Sequence, residues 1–483
     1  MDIRSIKNLF KLLSVIGLSL SFFFVIPIVW GVMTGEDYER FLLFNALLFS
    51  INLFFYLVLW THKVELSVKQ GIVFVNIIWI LLAFAGSVPL MLYSHITWAQ
   101  AIFESVSGFT TTGATIYADV EVLPQMILMH RSLMQWLGGM GIIVLGVGLF
   151  SLINPSGSLT LFKAESTGVK MEKMTPRIKD TALRIWGVYI LLTLVDAILL
   201  KLEGMSAFDA INHAFATIST GGFSTKNASF GYFENPLMLW TTTFFMIVAG
   251  MNFLVHLRLF SGDWHGYKTE EVKWYLVIFL FLSLALSFEH NLLSTDTFMV
   301  SLTHASFTIA SILTTTGFAS LDYSLWGNGA IALVIMAMLT GGNAGSTSGG
   351  VKVIRYIVVI KSIMADIKKV IHPNAIINIF IDRNKVQSKV MHSTYAFVML
   401  YVFTVLLVML YLFASGYDMM TSLSTSLSAV GNIGPGFSLT GPAANYSFFK
   451  SADLNVLSVA MIIGRLEFFT VLVLLSRNFW KQF

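Results

Sequence analysis

Four short stretches of glycine and hydroxyl residues recur in a chain whose other residues are mostly apolar. Their sequences are FTTTGAT at 109–115, ISTGGFST at 218–225, LTTTGFAS at 313–320 and, more loosely, VGNIGPGF at 430–437. Each holds one glycine in an equivalent place, at Gly113, Gly222, Gly317 and Gly434. Carbonyl oxygens are the ligands that replace the hydration shell of an alkali cation. The four stretches therefore predict one cation site built by four parts of the chain.

Glycine and threonine suit this chemistry for separate reasons. Successive carbonyls turn inward only where the backbone takes φ values that a Cβ disfavours, and glycine takes them freely. Threonine adds a hydroxyl oxygen and a stiff, β-branched side chain. The predicted ligands are Thr111, Thr112, Gly113, Thr220, Gly221, Gly222, Thr315, Thr316, Gly317, Asn432, Ile433 and Gly434. The alternative is that small residues only let membrane helices pack closely, and four stretches in register disfavour it.

Composition places the chain in a membrane. Of its 483 residues, 56% are hydrophobic and 12% are charged, and the mean hydropathy is +0.77, as is typical of polytopic membrane proteins. The net charge is +4, but the basic residues are not gathered into one patch, so nucleic acid is not an expected partner. The absence of cysteine excludes disulfides and thiolate metal sites. With no catalytic triad or HExxH set in the sequence, we expect neither an enzyme nor a bound cofactor.

Long apolar runs predict the helices that position the four stretches. About 20 helical residues cross a ~30 Å hydrocarbon core. Nine runs are candidate spans, at 12–33, 41–60, 72–93, 127–153, 183–200, 237–257, 274–288, 395–414 and 454–476, and a broken tenth covers 329–360. Shorter amphipathic segments lead into the four stretches, at 98–109, 206–219, 297–313 and 417–430. A short helix, irregular polar backbone and then a full helix indicate a re-entrant loop.

The basic residues predict the orientation. With a cytoplasmic amino terminus, the inside segments are 1–11, 61–71, 154–184, 258–273, 352–394 and 477–483. They hold 24 of the 30 Lys and Arg residues, which is a positive-inside pattern and places both termini in the cytoplasm. A unit of span, re-entrant loop and span begins and ends on one side of the membrane. Four tandem units therefore share one orientation, which suits a ring better than inverted repeats.

The expected fold is an all-α polytopic membrane protein with a pseudo-fourfold arrangement around one pore. Each repeat has a first span, a pore helix and a second span (M1–P–M2), and two extra transmembrane helices precede the repeats. The boundaries expected are 1–62 for the extension, then 63–162, 163–265, 266–385 and 386–483 for the four repeats.

Taken together, the motifs resemble the TrkH/KtrB/HKT superfamily of cation transporters, in particular its bacterial TrkH-type potassium-uptake subunits. The resemblance covers essentially the whole chain and adds GGMG at 138–141, GGNAGSTSGGVK at 341–352 and GRLEFF at 464–469. The two leading helices favour the TrkH type over the KtrB type, which lacks them. The resemblance implies a homodimer in the bacterial inner membrane, with one K⁺ pathway per chain. The fourth stretch departs most, with Asn432, Ile433 and Pro435, so we expect a less regular wall there.

The run GGNAGSTSGG at 341–350 interrupts the second helix of the third repeat. A phosphate-binding loop would need G-x-x-x-x-G-K-[ST] after a strand, and the run has neither. A simple helix break is another alternative. The resemblance implies an intramembrane gate below the filter, formed by Gly341, Gly342, Asn343, Gly345, Ser346, Thr347, Ser348, Gly349, Gly350 and Arg465.

Arg465 lies in the middle of an apolar run. A charge at that depth costs about 2.5–3.5 kcal/mol, so it should face a partner or an aqueous cavity. A structural ion pair is the alternative, although Glu467 is two residues away and diverges from Arg465 on a helix. The resemblance implies that the arginine lies beside the gate and acts as a barrier to cations.

Other polar residues allow more than one interpretation. Glu104 is expected at the start of the first pore helix as a partner of the helix dipole, with a vestibule charge as the alternative. Asp196 is expected near the membrane interface, and a role with a coupling ion stays open. His213 and His304 are expected to make structural hydrogen bonds rather than bind a metal.

The segment 352–394 carries eight Lys or Arg residues against two Asp. Such a segment suits lipid headgroups, and the resemblance implies that it docks TrkA, a cytosolic nucleotide-binding ring that opens the gate. Sodium or weakly selective cation transport is the alternative within transport. An embedded enzyme or sensor is the alternative from another class, and it would need convergent titratable groups that the spans hardly offer. The sequence leaves open whether transport is channel-like or coupled to protons or sodium.

Overall fold

A computed structural model describes residues 3–64, 67–144 and 178–481. The first part holds α1 Ile3–Thr34, α2 Glu39–Val58, α3 Val68–Ser94, α4 Trp98–Phe109 and α5 Gln125–Val144. From residue 178 come α6 Ile178–Leu202, α7 Ala207–Ile218, α8 Pro236–Ala249, α9 Phe253–Phe260, α10 Glu270–Leu293, α11 Phe298–Leu313 and α12 Asn328–Thr340. The last are α13 Val353–Ile371, α14 Ser388–Ala414, α15 Met419–Gly431, α16 Ser451–Arg465, α17 Phe469–Leu472 and α18 Arg477–Trp480. The end of the predicted span 127–153 and most of the predicted inside segment 154–184 lie outside the described residues.

Helices α1, α2, α3, α6, α10 and α14 are each long and apolar enough to cross a membrane. Their outer faces expose large apolar side chains such as Phe22, Phe54, Phe281 and Met399. Contiguous apolar surface of this kind suits lipid rather than water. The chain is thus a multi-pass membrane protein, as the composition predicts.

Two of the predicted spans, 237–257 and 454–476, are not single helices. Helices α8 and α9 meet at 98°, because Asn252 starts a new helix by accepting a hydrogen bond from Leu254 N–H (2.9 Å). Helix α16 and the segment that begins with α17 meet at 109°, where Glu467 and Phe468 both take left-handed backbone. Two consecutive left-handed residues end an α-helix. Counted as spans, the bent pairs raise the total among the described residues to eight.

The four predicted short helices are confirmed as α4, α7, α11 and α15, within two residues at each end. Side-chain caps define where three of them begin. Thr97 forms a capping box with Gln100, Ser206 accepts from the N–H of Asp209 (3.0 Å), and Asp418 accepts from the N–H of Thr421 (2.9 Å). Such caps satisfy N–H groups that have no partner within the helix.

One small sheet departs from the all-α expectation. Strands β1 Phe380–Ile381 and β2 Asn384–Lys385 pair antiparallel, joined by Asp382 and Arg383 in left-handed backbone. That turn geometry matches the twist of a two-residue hairpin. Strands of two residues leave no periodic signal in a sequence, so the hairpin could not be predicted.

Candidate functional site

The four short helices end in the same backbone motif. At the first, the N–H of Thr111 donates to the carbonyl of Gly108 (3.0 Å) and that of Thr112 donates to Ser107 (2.8 Å). The same pair of bonds closes the other three helices, at 2.7 to 3.4 Å. Two such bonds around a left-handed residue make a Schellman motif. The left-handed residues are Thr111, Thr220, Thr315 and Asn432, with φ of +54°, +54°, +57° and +55°.

Threonine is an unusual residue for that position. A Cβ in left-handed backbone costs about 1–2 kcal/mol, and glycine or asparagine is the common choice. Asn432 therefore suits the motif better than the three threonines do. The fourth stretch matches the others at this residue but differs at Gly434, whose φ is +104° against +78° to +85° for the other three glycines.

The four stretches come together in a closed ring, here called the glycine ring. A Cβ on Gly113 would overlap the carbonyl oxygen of Gly221, which belongs to the second stretch. In the same way Gly222 faces the oxygen of Thr316, Gly317 that of Ile433, and Gly434 that of Thr112. Each stretch thus meets the next and the fourth meets the first. The structure brings all twelve predicted ligand residues to this ring.

Burial differs among these twelve residues in a way that fits an axial opening. Gly113, Gly222 and Gly317 are half-buried, and the other nine are buried. Two of the threonine hydroxyl groups are hydrogen-bonded within their own stretch: that of Thr112 lies 2.8 Å from the hydroxyl of Thr110, and that of Thr316 lies 2.7 Å from the hydroxyl of Thr314. The predicted hydroxyl ligands are therefore engaged at these two residues, while the backbone carbonyls line the contacts between stretches.

A buried ion pair holds the chain that follows the first stretch. Glu104 accepts from Arg131 (2.8 Å) and from the N–H of Ile116 (2.9 Å), and both charged side chains are buried. The expected position of Glu104 is wrong, because helix α4 begins at Trp98 and places Glu104 in its middle. Arg131 went unrecognised in the sequence because it lies 27 residues away on α5.

Hydrogen bonds also link stretches to each other. Tyr446 donates its N–H to the carbonyl of Thr115 (2.8 Å) and its hydroxyl to that of Gly434 (2.8 Å), so it joins the first stretch to the fourth. In the loops beyond, Asn227 donates to Asp119 (2.7 Å). That amide hydrogen bond holds the pKa of the Asp119 carboxyl below its ordinary value. The loops after the first and second stretches are thereby tied together.

His213 and His304 make hydrogen bonds, as predicted, and Asp196 is buried in the protein. His213 lies 2.7 Å from the carbonyl of Asp209 and 2.9 Å from the Ser224 hydroxyl, and His304 lies 3.0 Å from the Ser320 hydroxyl. Within the described ranges no three His, Asp or Glu side chains cluster as a metal site would require. Asp196 is fully buried within the protein, on helix α6, which ends at Leu202. Its interfacial position stays a prediction.

The predicted gate lies against the glycine ring. Residues 341–352, here called the Gly/Ser loop, connect α12 to α13. The Thr347 hydroxyl lies 3.2 Å from the carbonyls of Ile218 and Ala249, and the N–H of Gly349 donates to the Thr315 hydroxyl (2.8 Å). The loop therefore touches the ends of the second and third short helices and the break between α8 and α9.

Arg465 is the last residue of α16 rather than a mid-helix residue as the sequence predicts. Its Nη1 donates to the carbonyl of Thr347 at the tip of the Gly/Ser loop (2.7 Å), and the side chain is nearly fully buried. Its Nε and Nη2 have no hydrogen-bond partner among the described residues, and the same holds for the amide group of Asn343.

A second contact fastens the far end of the Gly/Ser loop. Glu467 pairs with Lys352 (2.8 Å) and with Arg355 (3.0 Å), whose guanidinium lies 3.7 Å from the centre of the Phe397 ring. Sequence reasoning considered Glu467 only as a partner for Arg465. The signal available in the sequence is a lone acid in GRLEFF and two basic residues, one at the end of the loop and one three residues after it, more than 100 positions earlier.

Comparison with known proteins gives consistent results. The family model for TrkH, a cation transport protein, matches residues 39–482. The Trk system potassium uptake protein TrkH of Halomonas elongata is 33% identical, over 99% of this chain and 100% of that protein. Its Vibrio parahaemolyticus counterpart is 37% identical, over 87% of this chain and 88% of that protein. The crystal structure of the potassium transporter TrkH from Vibrio parahaemolyticus superposes with a TM-score of 0.88 at 31% identity, covering 99% of this chain and all of that one.

Proposed function

The chain belongs to the TrkH family of cation transport proteins, as its motifs predict, and on that premise we propose that it takes up potassium across the bacterial inner membrane. A negative-inside potential would drive inward flux, at about 2.3 kcal/mol per charge per 100 mV. The observation that carries the proposal is the closed glycine ring.

The glycine ring is the selectivity filter. The carbonyl oxygens of Thr112, Gly221, Thr316 and Ile433 lie where one stretch meets the next, so a dehydrated cation at the centre would be surrounded on four sides. Carbonyl rings of this kind replace the hydration shell of K⁺. Each of the four short helices also ends at the ring, and the negative end of a helix dipole favours a cation.

Four M1–P–M2 repeats supply this ring. The first comprises α3, α4 and α5, the second α6 to α9, the third α10 to α13 and the fourth α14 to α17. Helices α1 and α2 stand outside the repeats. What supports this division is that each of the four short helices follows a long apolar helix and ends in the same backbone motif.

The Gly/Ser loop and Arg465 form the gate. The loop contacts the ring at Thr315, and Arg465 adds a positive charge that repels a cation leaving the filter. Glycine and serine give the loop backbone the freedom to move aside. The Arg465 bond to Thr347 supports a closed arrangement in which the arginine anchors the loop.

The cytoplasmic segment 352–394 binds the regulator, a TrkA-type nucleotide-binding ring. Two copies of the chain form a homodimer. Helix α13 begins directly after the Gly/Ser loop and ends near Lys368 and Lys369, in a segment rich in basic residues. A partner bound to α13 would pull on the loop through the backbone at Lys352.

The filter assignment is tested by Gly113→Ser. A Cβ and hydroxyl there would overlap the Gly221 carbonyl and disturb the ring, so we expect weaker discrimination against sodium. In plant members of the superfamily that the motifs resemble, a serine in the first filter stretch is associated with sodium transport. The ratio of ⁸⁶Rb⁺ to ²²Na⁺ flux in proteoliposomes measures the effect.

Gly262→Ser is the matched control, because Gly262 also has positive φ (+80°) but has open space around a Cβ. If the Gly113→Ser protein reconstitutes normally and keeps the wild-type flux ratio, Gly113 is not a filter residue.

A further inference from the structure

The second stretch lacks a side chain that the other three possess. One residue stands between the left-handed residue and the equivalent glycine of each stretch. It is Thr112, Thr316 and Ile433 in the first, third and fourth stretches and Gly221 in the second. The three are β-branched, which stiffens them at χ1. Glycine has the greatest backbone freedom, so the carbonyl of Gly221 is the one in the ring least restrained by its own residue.

Gln135 on helix α5 occupies the place of that missing side chain. A Cβ built on Gly221 would lie 2.9 Å from Cβ of Gln135 and would overlap the carboxamide group. The amide Nε2 of Gln135 donates to the carbonyl of Gly221 (2.5 Å), and its Oε1 accepts from the N–H of Phe223 (3.0 Å). The fully buried Gln135 side chain therefore hydrogen-bonds the backbone on both sides of Gly222.

We propose that Gln135 is a positioning residue for ion selectivity, which supplies from α5 the rigidity that β-branched residues supply in the other stretches. The inference rests on the proposed function, because it assumes that the glycine ring selects the ion. The carbonyl that Gln135 holds is the one that faces Gly113 across the first junction of the ring. Released from the amide, this carbonyl could follow the smaller Na⁺ inward, and discrimination would fall.

The first test compares Gln135→Met and Gln135→Ala with wild type. Methionine keeps most of the volume and loses both hydrogen bonds, while alanine also empties the space. Each hydrogen bond is worth roughly a threefold to tenfold factor, so we expect the ⁸⁶Rb⁺/²²Na⁺ flux ratio to fall about threefold or more in both variants. Gln125→Met is the control. Gln125 lies at the start of the same helix, far from the ring, and the substitution removes one side-chain hydrogen bond, which Trp30 donates to it (3.0 Å). Gln135→Met with a wild-type ratio overturns the proposal.

The second test asks for rescue. In the first and third stretches the threonine hydroxyl bonds another hydroxyl two residues earlier, and Ser219 offers the equivalent hydroxyl to a threonine at position 221. In Gly221→Thr alone, the new side chain would overlap that of Gln135, so the ⁸⁶Rb⁺/²²Na⁺ flux ratio should fall. Gln135→Ala removes the overlapping carboxamide and leaves only a Cβ–Cβ contact of 2.9 Å to relax. Combined with it, Gly221→Thr should restore the ratio to within about twofold of wild type, a strongly non-additive cycle. A double variant no better than Gln135→Ala overturns the exchange of one side chain for the other.

Gly222→Ser, measured alongside, distinguishes a failure of the Gln135 role from a failure of the filter assignment. If Gly222→Ser lowers the ratio and Gln135→Met does not, only the role of Gln135 fails. If neither changes the ratio, the ring is not the filter, and the proposed function fails with it.

Discussion

At the scale of single residues, the glycine ring contains residues in unfavourable backbone conformations that neighbouring residues stabilise. Thr111, Thr220 and Thr315 adopt left-handed backbone, each at a cost of about 1–2 kcal/mol. Such residues persist only where the surrounding structure fixes them, and they concentrate at functional sites. The surroundings here include the Glu104–Arg131 ion pair behind the first stretch and Gln135 behind the second.

The ion pair yields a prediction for stability. Glu104→Gln leaves Arg131 charged and buried without its counterion, which should lower the free energy of unfolding by about 3–5 kcal/mol. Asp263→Asn breaks a partly exposed pair with Arg258 (3.8 Å) and should cost less than about 1 kcal/mol. Thermal unfolding of both variants in detergent measures the difference. Equal shifts in the unfolding temperature would mean that Glu104 is no more important than a surface charge.

At the scale of elements, the sequence predicts helices well wherever capping residues and apolar spacing are local. Helix α4 matches the prediction at both ends because Thr97 and Gln100 cap it and a Gly/Thr stretch follows it. The bends at Asn252 and at Glu467 were not predicted. At Glu467 the reason is tertiary, since the contacts that hold that carboxylate come from Lys352 and Arg355, far away in the sequence.

The Gly/Ser loop and Arg465 should both limit ion flux when the regulator is absent. Removing residues 344–348 should remove a steric obstacle and Arg465→Ala an electrostatic one, so each change should raise ⁸⁶Rb⁺ flux in the absence of the regulator. Because Arg465 holds Thr347, we expect the double variant to gain little beyond the loop deletion. Independent barriers would instead add in ln(flux). A folded, loop-deleted protein with wild-type flux would contradict the gate.

At the scale of the whole molecule, composition and motifs predict a membrane protein of this family, and the family model confirms it. The four stretches could be recognised because each carries its own Gly/Thr pattern. The residues that hold them, Arg131, Gln135 and Tyr446, could not, because each acts across a junction between distant parts of the chain and has no pattern of its own.

Orientation is also a property of the whole chain, and single cysteines in this cysteine-free protein test it. Cysteine at Thr34 or Ser447 should react with an impermeant thiol reagent from outside, and cysteine at Asn384 only from inside. All three side chains are exposed, so reactivity reports the side of the membrane rather than burial. Ser166, a second predicted inside position, lies outside the described residues and serves as an independent check. Labelling of the two outside positions only from inside, or of the two inside positions from outside, would refute the parallel repeats.

Potassium selectivity of the intact protein is the most direct test of the glycine ring as a potassium filter. Purified protein in proteoliposomes should take up ⁸⁶Rb⁺ under an imposed negative-inside potential, with the regulator present to open the gate. A carbonyl ring sized for potassium predicts that excess external K⁺ abolishes this uptake and that the same excess of Na⁺ barely lowers it. Equal competition by the two ions, in protein that does conduct Rb⁺, would contradict a potassium filter at the glycine ring.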